Sequence, residues 1–340
     1  MELAGPAQPV ADRVGVDLST QRSKFSVSNT GVLVYTSGTG LAQLQWFDRT
    51  GKRLDTAGPP GINVDMRLSP DGRSIAVQRE DGAGAADIWF FDFARGATQR
   101  FTTHPAYDGA PVWTPDGSRL FFFSQRDGPW SLYEKASSGT SDERLVLNTG
   151  NNLVPHDVSP DGRFLLYIDR SSRRSDILVM PLAGTVPPTS PPHPFVATPA
   201  DENFAHFSPD GKWVVYRSDE SGRYEVYVRA FNRDGSPGNE RFTVSTDGGV
   251  EPTSPKRGNE IFYIGAADML TAVAVQSAPV FKVGVPRQLF KMRRTGVKGY
   301  DAAADGQTFL VSTPVDEVSS APATVVLNWT EELKRLVPSN

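Results

Sequence analysis

One short pattern recurs along the whole chain and limits the fold more than any other feature: an apolar residue, then Ser-Pro-Asp-Gly, then four or five apolar residues. The clear copies are LSPDGRSIAV from Leu68, WTPDGSRLFFF from Trp113, VSPDGRFLLY from Val158 and FSPDGKWVVY from Phe207. Looser copies are VSNTGVLVY from Val27, SPKRGNEIFY from Ser254 and AAADGQTFLV from Ala302, which brings the set to seven. Aligned on the turn serine or its replacement, they fall at Ser28, Ser69, Thr114, Ser159, Ser208, Pro255 and Ala303, in steps of 41, 45, 45, 49, 47 and 48 residues. That spacing suits one four-stranded blade of a β-propeller. Ser-Pro-Asp-Gly puts Pro where a type I turn needs φ of about −65° and Gly where φ turns positive, so each copy predicts a tight hairpin.

The runs after the turns, such as Leu120 to Phe123 and Trp213 to Tyr216, are apolar without alternation, as expected of a strand covered on both faces. A third strand follows in each repeat, from LQWFD at Leu44 to TVVLNW at Thr324, and polar residues then lead to a fourth, outer strand such as ERLVLN from Glu143. The expected fold is all-β: a seven-bladed β-propeller of four-stranded antiparallel blades, forming a single domain over residues 1–340. Its repeats start near residues 24, 62, 107, 151, 202, 248 and 297. An open ring would leave unpaired strand edges. The tail EELKRL is too polar for an outer strand, so residues 8–16 are expected to complete the last blade and close the ring.

Composition narrows the function. Lys and Arg number 35 against 39 Asp and Glu, a formal charge of −4 that gives no basic surface for nucleic acid. There is no cysteine, which removes thiolate nucleophiles and cysteine-based metal sites. No stretch is long and apolar enough to span a membrane, and the first residues do not form a signal peptide, so the chain as written reads as soluble and cytoplasmic.

The repeated SPDG-plus-strand unit resembles TolB-like and WD-type propeller repeats over nearly the whole chain. FSVSNTGVLVY, LQWFDRTGKRL, APVWTPDG and TVVLNWTEELKRL are further similar to the C-terminal propeller region of bacterial receptor-like serine/threonine kinases. That resemblance implies a sensor or interaction module and a piece of a larger signalling protein. The kinase signatures themselves are missing: no H-R-D, no D-F-G and no Gly-rich phosphate loop occurs.

In a propeller the first strand of each blade lines the central channel, so the residues just before each turn are the candidates for a site. They are Asp65 and Arg67, Tyr107 and Asp108, His156 and Asp157, Glu202, Asn203 and His206, Glu251, and Tyr300 and Asp301. Of these, Asp65, Asp108, His156, Glu202, His206, Glu251 and Asp301 are expected to form a funnel on the face opposite the Ser-Pro-Asp-Gly hairpins. A divalent cation, calcium or zinc, is a candidate on the axis at His156, His206, Glu251 and Asp301. The alternative is that these groups only satisfy backbone atoms and channel water. With no G-x-S-x-G motif or other catalytic signature, the leading expectation is a non-catalytic module binding a protein, peptide or small ligand at the funnel. The second is a metal-assisted hydrolase of lactones, esters or phosphotriesters at the same place.

Overall fold

A computed structural model describes residues 16–17, 22–23, 25–36, 40–81, 84–171, 174–182, 191–278, 280–315 and 323–327. Among the described residues the structure is almost entirely β, and the one helical element is a short 3-10 turn at Ala266–Asp268. Six of the seven turn motifs close with the expected turn hydrogen bond, while at Pro255 the Arg257 amide donates to the Ala304 carbonyl at 2.7 Å. At the first clear copy the Gly72 amide donates to the Ser69 carbonyl at 2.9 Å, the Ser69 amide donates to the Ser74 carbonyl at 2.9 Å, and Gly72 has φ of 71°. Gly117, Gly162 and Gly211 repeat this at φ of 70°, 73° and 67°. The aspartate locks the turn: the Ser69, Thr114, Ser159 and Ser208 hydroxyls each donate to the Asp two residues on, at 2.6 Å.

Among the described residues the strands build six four-stranded blades. The middle four are self-contained or nearly so. Asp108–Trp113, Arg119–Ser124, Ser131–Ala136 and Arg144–Leu147 form the second, and Asn152–Val158, Phe164–Arg170, Asp176–Pro181 and His193–Val196 the third. Glu202–Phe207, Trp213–Ser218, Glu225–Phe231 and Pro237–Thr243 form the fourth; Val250–Thr253, Glu260–Ile264, Met269–Gln276 and Arg287–Lys291 form the fifth. The long strand Arg53–Leu68 serves two blades, because its residues 62–68 pair with Ser74–Glu80 while residues 53–61 pair with Ala42–Asp48. The first blade is therefore residues 62–68 with Ser74–Glu80, Ala86–Asp92 and Ala97–Arg100. The sixth is Tyr300–Ala302 and Thr308–Pro314 joined to Ala42–Asp48 and residues 53–61.

This corrects two expectations. The described residues form six blades rather than seven, and the ring closes where Thr308–Pro314 pairs with Ala42–Asp48 over seven residues, from Thr308 opposite Asp48 to Pro314 opposite Ala42. The cause is an exchange of third strands between the first and last repeats. LQWFD, expected in the first repeat's own blade, completes the last one, while Ala323–Leu327 pairs instead with Val32–Thr36. Phe25–Val27, Val32–Thr36 and Ala323–Leu327 then make a separate three-stranded sheet. Residues 8–15 and the tail EELKRL lie outside the described residues, and Val16 pairs with Ser23 in a two-stranded ribbon.

Packing agrees with this closure. One buried cluster joins Leu44 and Phe309 of the sixth blade to Met66 and Ile75 of the first and Phe262 and Phe290 of the fifth. Each such side chain, fully removed from water, contributes on the order of 2 kcal/mol, so the seam is held as a core is held.

Candidate functional site

The inner strands position the site, and five of the six carry a register shift near the middle, at Asn63/Asp65, Gly109/Val112, Pro155/Asp157, Asn203/His206 and Val250/Thr253. In three of them the residue four before the turn position is left-handed: Ala110 at φ 51°, Phe204 at 54° and Glu251 at 50°. Non-glycine residues reach that region at a cost of about 1–2 kcal/mol each. Such bulges bend a strand and re-aim the side chains after it.

What they aim inward is a ring of six, one per blade, two residues before each turn position: Arg67, Val112, Asp157, His206, Thr253 and Asp301. A second ring follows one residue later, of Leu68, Trp113, Val158, Phe207, Ser254 and Ala302. The two rings line a cavity of about 270 Å³ on the axis, with the turn prolines Pro70, Pro115, Pro160 and Pro209 at its rim. This cavity therefore opens on the Ser-Pro-Asp-Gly face, whereas the funnel was expected on the opposite face. Of the acids at the inner strands, Asp108, Glu202 and Glu251 find local partners.

The seven expected funnel residues separate accordingly. His206 and Asp301 line the cavity. His156 lies just beneath: its carbonyl accepts from Arg67 Nη2 at 2.9 Å, and its Nδ1 accepts from the Ala205 amide at 3.2 Å. Burial, helped by nearby His206 and Arg67, holds the His156 ring well below its ordinary pKa, so it is neutral. Asp108 opens its strand, fully buried, with both oxygens 3.3 Å from Arg126 Nη2. Glu202 also opens its strand and accepts from the Thr198 hydroxyl, and burial pushes its pKa up to about 7. Glu251 sits in its bulge, paired with Arg294 and accepting from the Gly299 amide at 3.1 Å, and burial likewise pushes it up to about 7. Asp65 is raised to about 7 by burial, and its Oδ1 has no hydrogen-bond partner among the described residues.

The cavity carboxylates act as clamps between blades. Asp157 Oδ2 accepts from the Phe207 amide of the next blade and Asp301 Oδ2 from the Leu68 amide of the next, each at 2.9 Å. Their other oxygens accept from Val158 at 3.1 Å and Ala302 at 3.0 Å. Although burial opposes ionisation of Asp157, Lys256 at 3.2 Å and the nearby His206 ring hold its pKa well below the usual carboxylate range. His206 stands 3.7 Å from Asp157, and burial together with Arg67 lowers its pKa. The proposed metal ligands do not come together: among the described residues no three His, Asp or Glu side chains are placed to hold an ion. Glu251 faces Arg294, Asp301 has Lys298 at 3.9 Å, and Arg67 lies against His206.

Sequence reasoning singled out Arg67 and Asp157 beside the funnel residues but missed Lys256, Val112 and Thr253. Lys256 stands in PKRG, the one turn of the six blades that has lost its Asp, where turn chemistry gave no reason to look for a functional side chain. The useful signal was positional, two residues before the turn, and did not depend on residue type.

Residues 34–187 match the TolB β-propeller domain family. An uncharacterized protein, Atu1656, of Agrobacterium fabrum is 25% identical over 225 residues, which cover 64% of this chain and 74% of that protein. The Tol-Pal system protein TolB of Alcanivorax borkumensis is 28% identical over 130 residues, 37% of this chain and 30% of its own length. Among solved structures, the putative TolB from Agrobacterium tumefaciens superimposes with a TM-score of 0.61 at 17% identity, covering 81% of this chain and 99% of that one. The fold is that of a TolB-like β-propeller.

Proposed function

We propose that this chain is a non-catalytic binding module that receives a segment of a partner protein in the axial cavity on its turn face. The observation that carries the reading is the cavity itself: six blades each contribute two consecutive side chains to one concave, mixed polar and apolar site. Concave sites with a few convergent polar groups are where rigid scaffolds bind. A propeller relative named as a Tol-Pal system protein favours a protein partner, and lends a cytoplasmic placement no support. The metal-assisted hydrolase is the weaker reading, because Asp157 and Asp301 have both oxygens engaged by main-chain amides and the remaining acids do not converge. That the module is part of a longer signalling polypeptide is a further part of the proposal, resting on the kinase-propeller resemblance of FSVSNTGVLVY and APVWTPDG. No helix among the described residues is long and apolar enough to cross a membrane.

The test uses a photo-reactive label at Ser254, in the cavity wall, or at Ser221, in a loop joining the second and third strands of the fourth blade on the opposite face. The expected result is a protein adduct from a bacterial envelope extract at Ser254 alone, lost when Thr253→Trp fills the cavity. Adducts at Ser221 that persist in Thr253→Trp would move the binding face to the other side.

A further inference from the structure

Of all the cationic groups around the cavity, Arg67 stands out by what it lacks. Lys256 has Asp157 and Lys298 has Asp301, but Arg67 makes no salt bridge among the described residues. Its five N–H donors are poorly used. Nη2 donates to the His156 carbonyl at 2.9 Å, Nε has no partner among the described residues, and Nη1 lies 3.4 and 3.5 Å from the two ring nitrogens of His206. Near-equal distances to both nitrogens put Nη1 across the ring and not along a single lone pair, and a neutral imidazole offers only one acceptor. The charge of Arg67 favours ionisation of the buried Asp301 and Asp65, but neither they nor Asp157 forms an ion pair with it, and the oxygens of Asp157 and Asp301 hold amides of their own or the neighbouring blade. A charged fork with unused donors thus stands in the cavity wall.

We infer that Arg67, with Lys256 at the rim, is a carboxylate-recognition site for the inserted segment of the partner, an acidic side chain or a chain terminus. The guanidinium fork matches a carboxylate with two parallel hydrogen bonds. A singly charged carboxylate suits the site better than a phosphate, because Asp157 and Asp301 share the same ring and would repel a second negative charge. Val112, Trp113 and Phe207 supply apolar wall for the carbon atoms behind the carboxylate. The inference rests on the cavity being the binding site, as proposed above.

The probe is N-acetyl-Ala-Ala with a free carboxylate, compared with its C-terminal amide, acetate and inorganic phosphate. The readout is the His206 ring signal in NMR, which is well isolated because the chain has 4 histidines. His104 and His193 lie away from the cavity and serve as internal references. The carboxylate peptide should shift His206 saturably and the amide should not. Arg67→Met should weaken the peptide by at least about tenfold, the loss of one charged hydrogen-bond pair. Should Arg67→Met not fold, Lys256→Glu at the exposed rim should weaken the carboxylate peptide. Equal shifts from peptide and amide would overturn the carboxylate site while leaving the cavity as a binding site. Absence of any shift, indifference to both substitutions, or acetate or phosphate binding as tightly as the peptide would also overturn it.

Discussion

Glu251 shows how one residue carries several demands. It occupies a left-handed bulge position at φ 50°, its carbonyl accepts from the Tyr300 hydroxyl at 2.8 Å, and its carboxylate meets Arg294 and the Gly299 amide. Burial nevertheless dominates, and its pKa rises from 4.5 to about 7. The folded protein therefore holds a proton on Glu251 that the unfolded chain releases, so stability is highest below about 4.5, falls as pH rises toward about 7, and levels above it. Asp65 and Glu202, also raised to about 7, act in the same direction. Asp157 acts oppositely and only in strong acid, because its pKa is lowered. Glu251→Gln should flatten part of the decline between pH 4.5 and 7, by an amount on the order of 3 kcal/mol at most. Urea midpoints measured across that range would check it, and parallel curves for the two proteins would show that Glu251 does not titrate there. Residue types at these positions were legible in the sequence, since polar groups before each turn had to point somewhere. Their employment was not, because a carboxylate that clamps the next blade's amide and one that awaits a ligand are spelled alike.

At the scale of elements, hairpins were the most legible feature. Ser-Pro-Asp-Gly states its own dihedral angles, and the turn glycines lie at positive φ as that chemistry requires. Strand partners were less legible, because LQWFD and TVVLN have the same pattern and either could serve as a third strand. The outcome depends on which ring closes with its cores filled, a property no local window contains. The bulges were invisible for a similar reason, since Ala110, Phe204 and Glu251 share a position and a φ but no chemistry. The exchange of third strands has a consequence for stability. Residues 42–314 supply every strand of the six blades, so deleting residues 1–20 should leave the thermal midpoint of the ring within about 1–2 °C, the shift of a fraction of a kcal/mol. A sharp fall in that midpoint would restore closure by the N-terminal segment.

For the whole molecule, blade number decides what the axis can do. Six inner strands bring Arg67, Asp157, His206 and Asp301 into one cavity of about 270 Å³, and the clamp from Asp301 to the Leu68 amide runs across the seam between the last and first blades. A seventh blade inserted at that seam would separate those two residues and leave Asp301 without its amide. The site and the closure therefore stand or fall together, and the pairing of Ala42–Asp48 with Thr308–Pro314 is the place to test both. Gln43 and Thr313 face each other there, half-buried, in a chain with no cysteine of its own. In the double variant Gln43→Cys/Thr313→Cys, mild oxidation of the folded protein should yield a single intramolecular disulfide, seen as faster migration in non-reducing electrophoresis. That bond should also stabilise the ring by about 2–4 kcal/mol, because it joins distant parts of the chain. Free thiols persisting in the folded, oxidised protein would mean that these strands are not neighbours, and would contradict both the six-bladed ring and the cavity built on it.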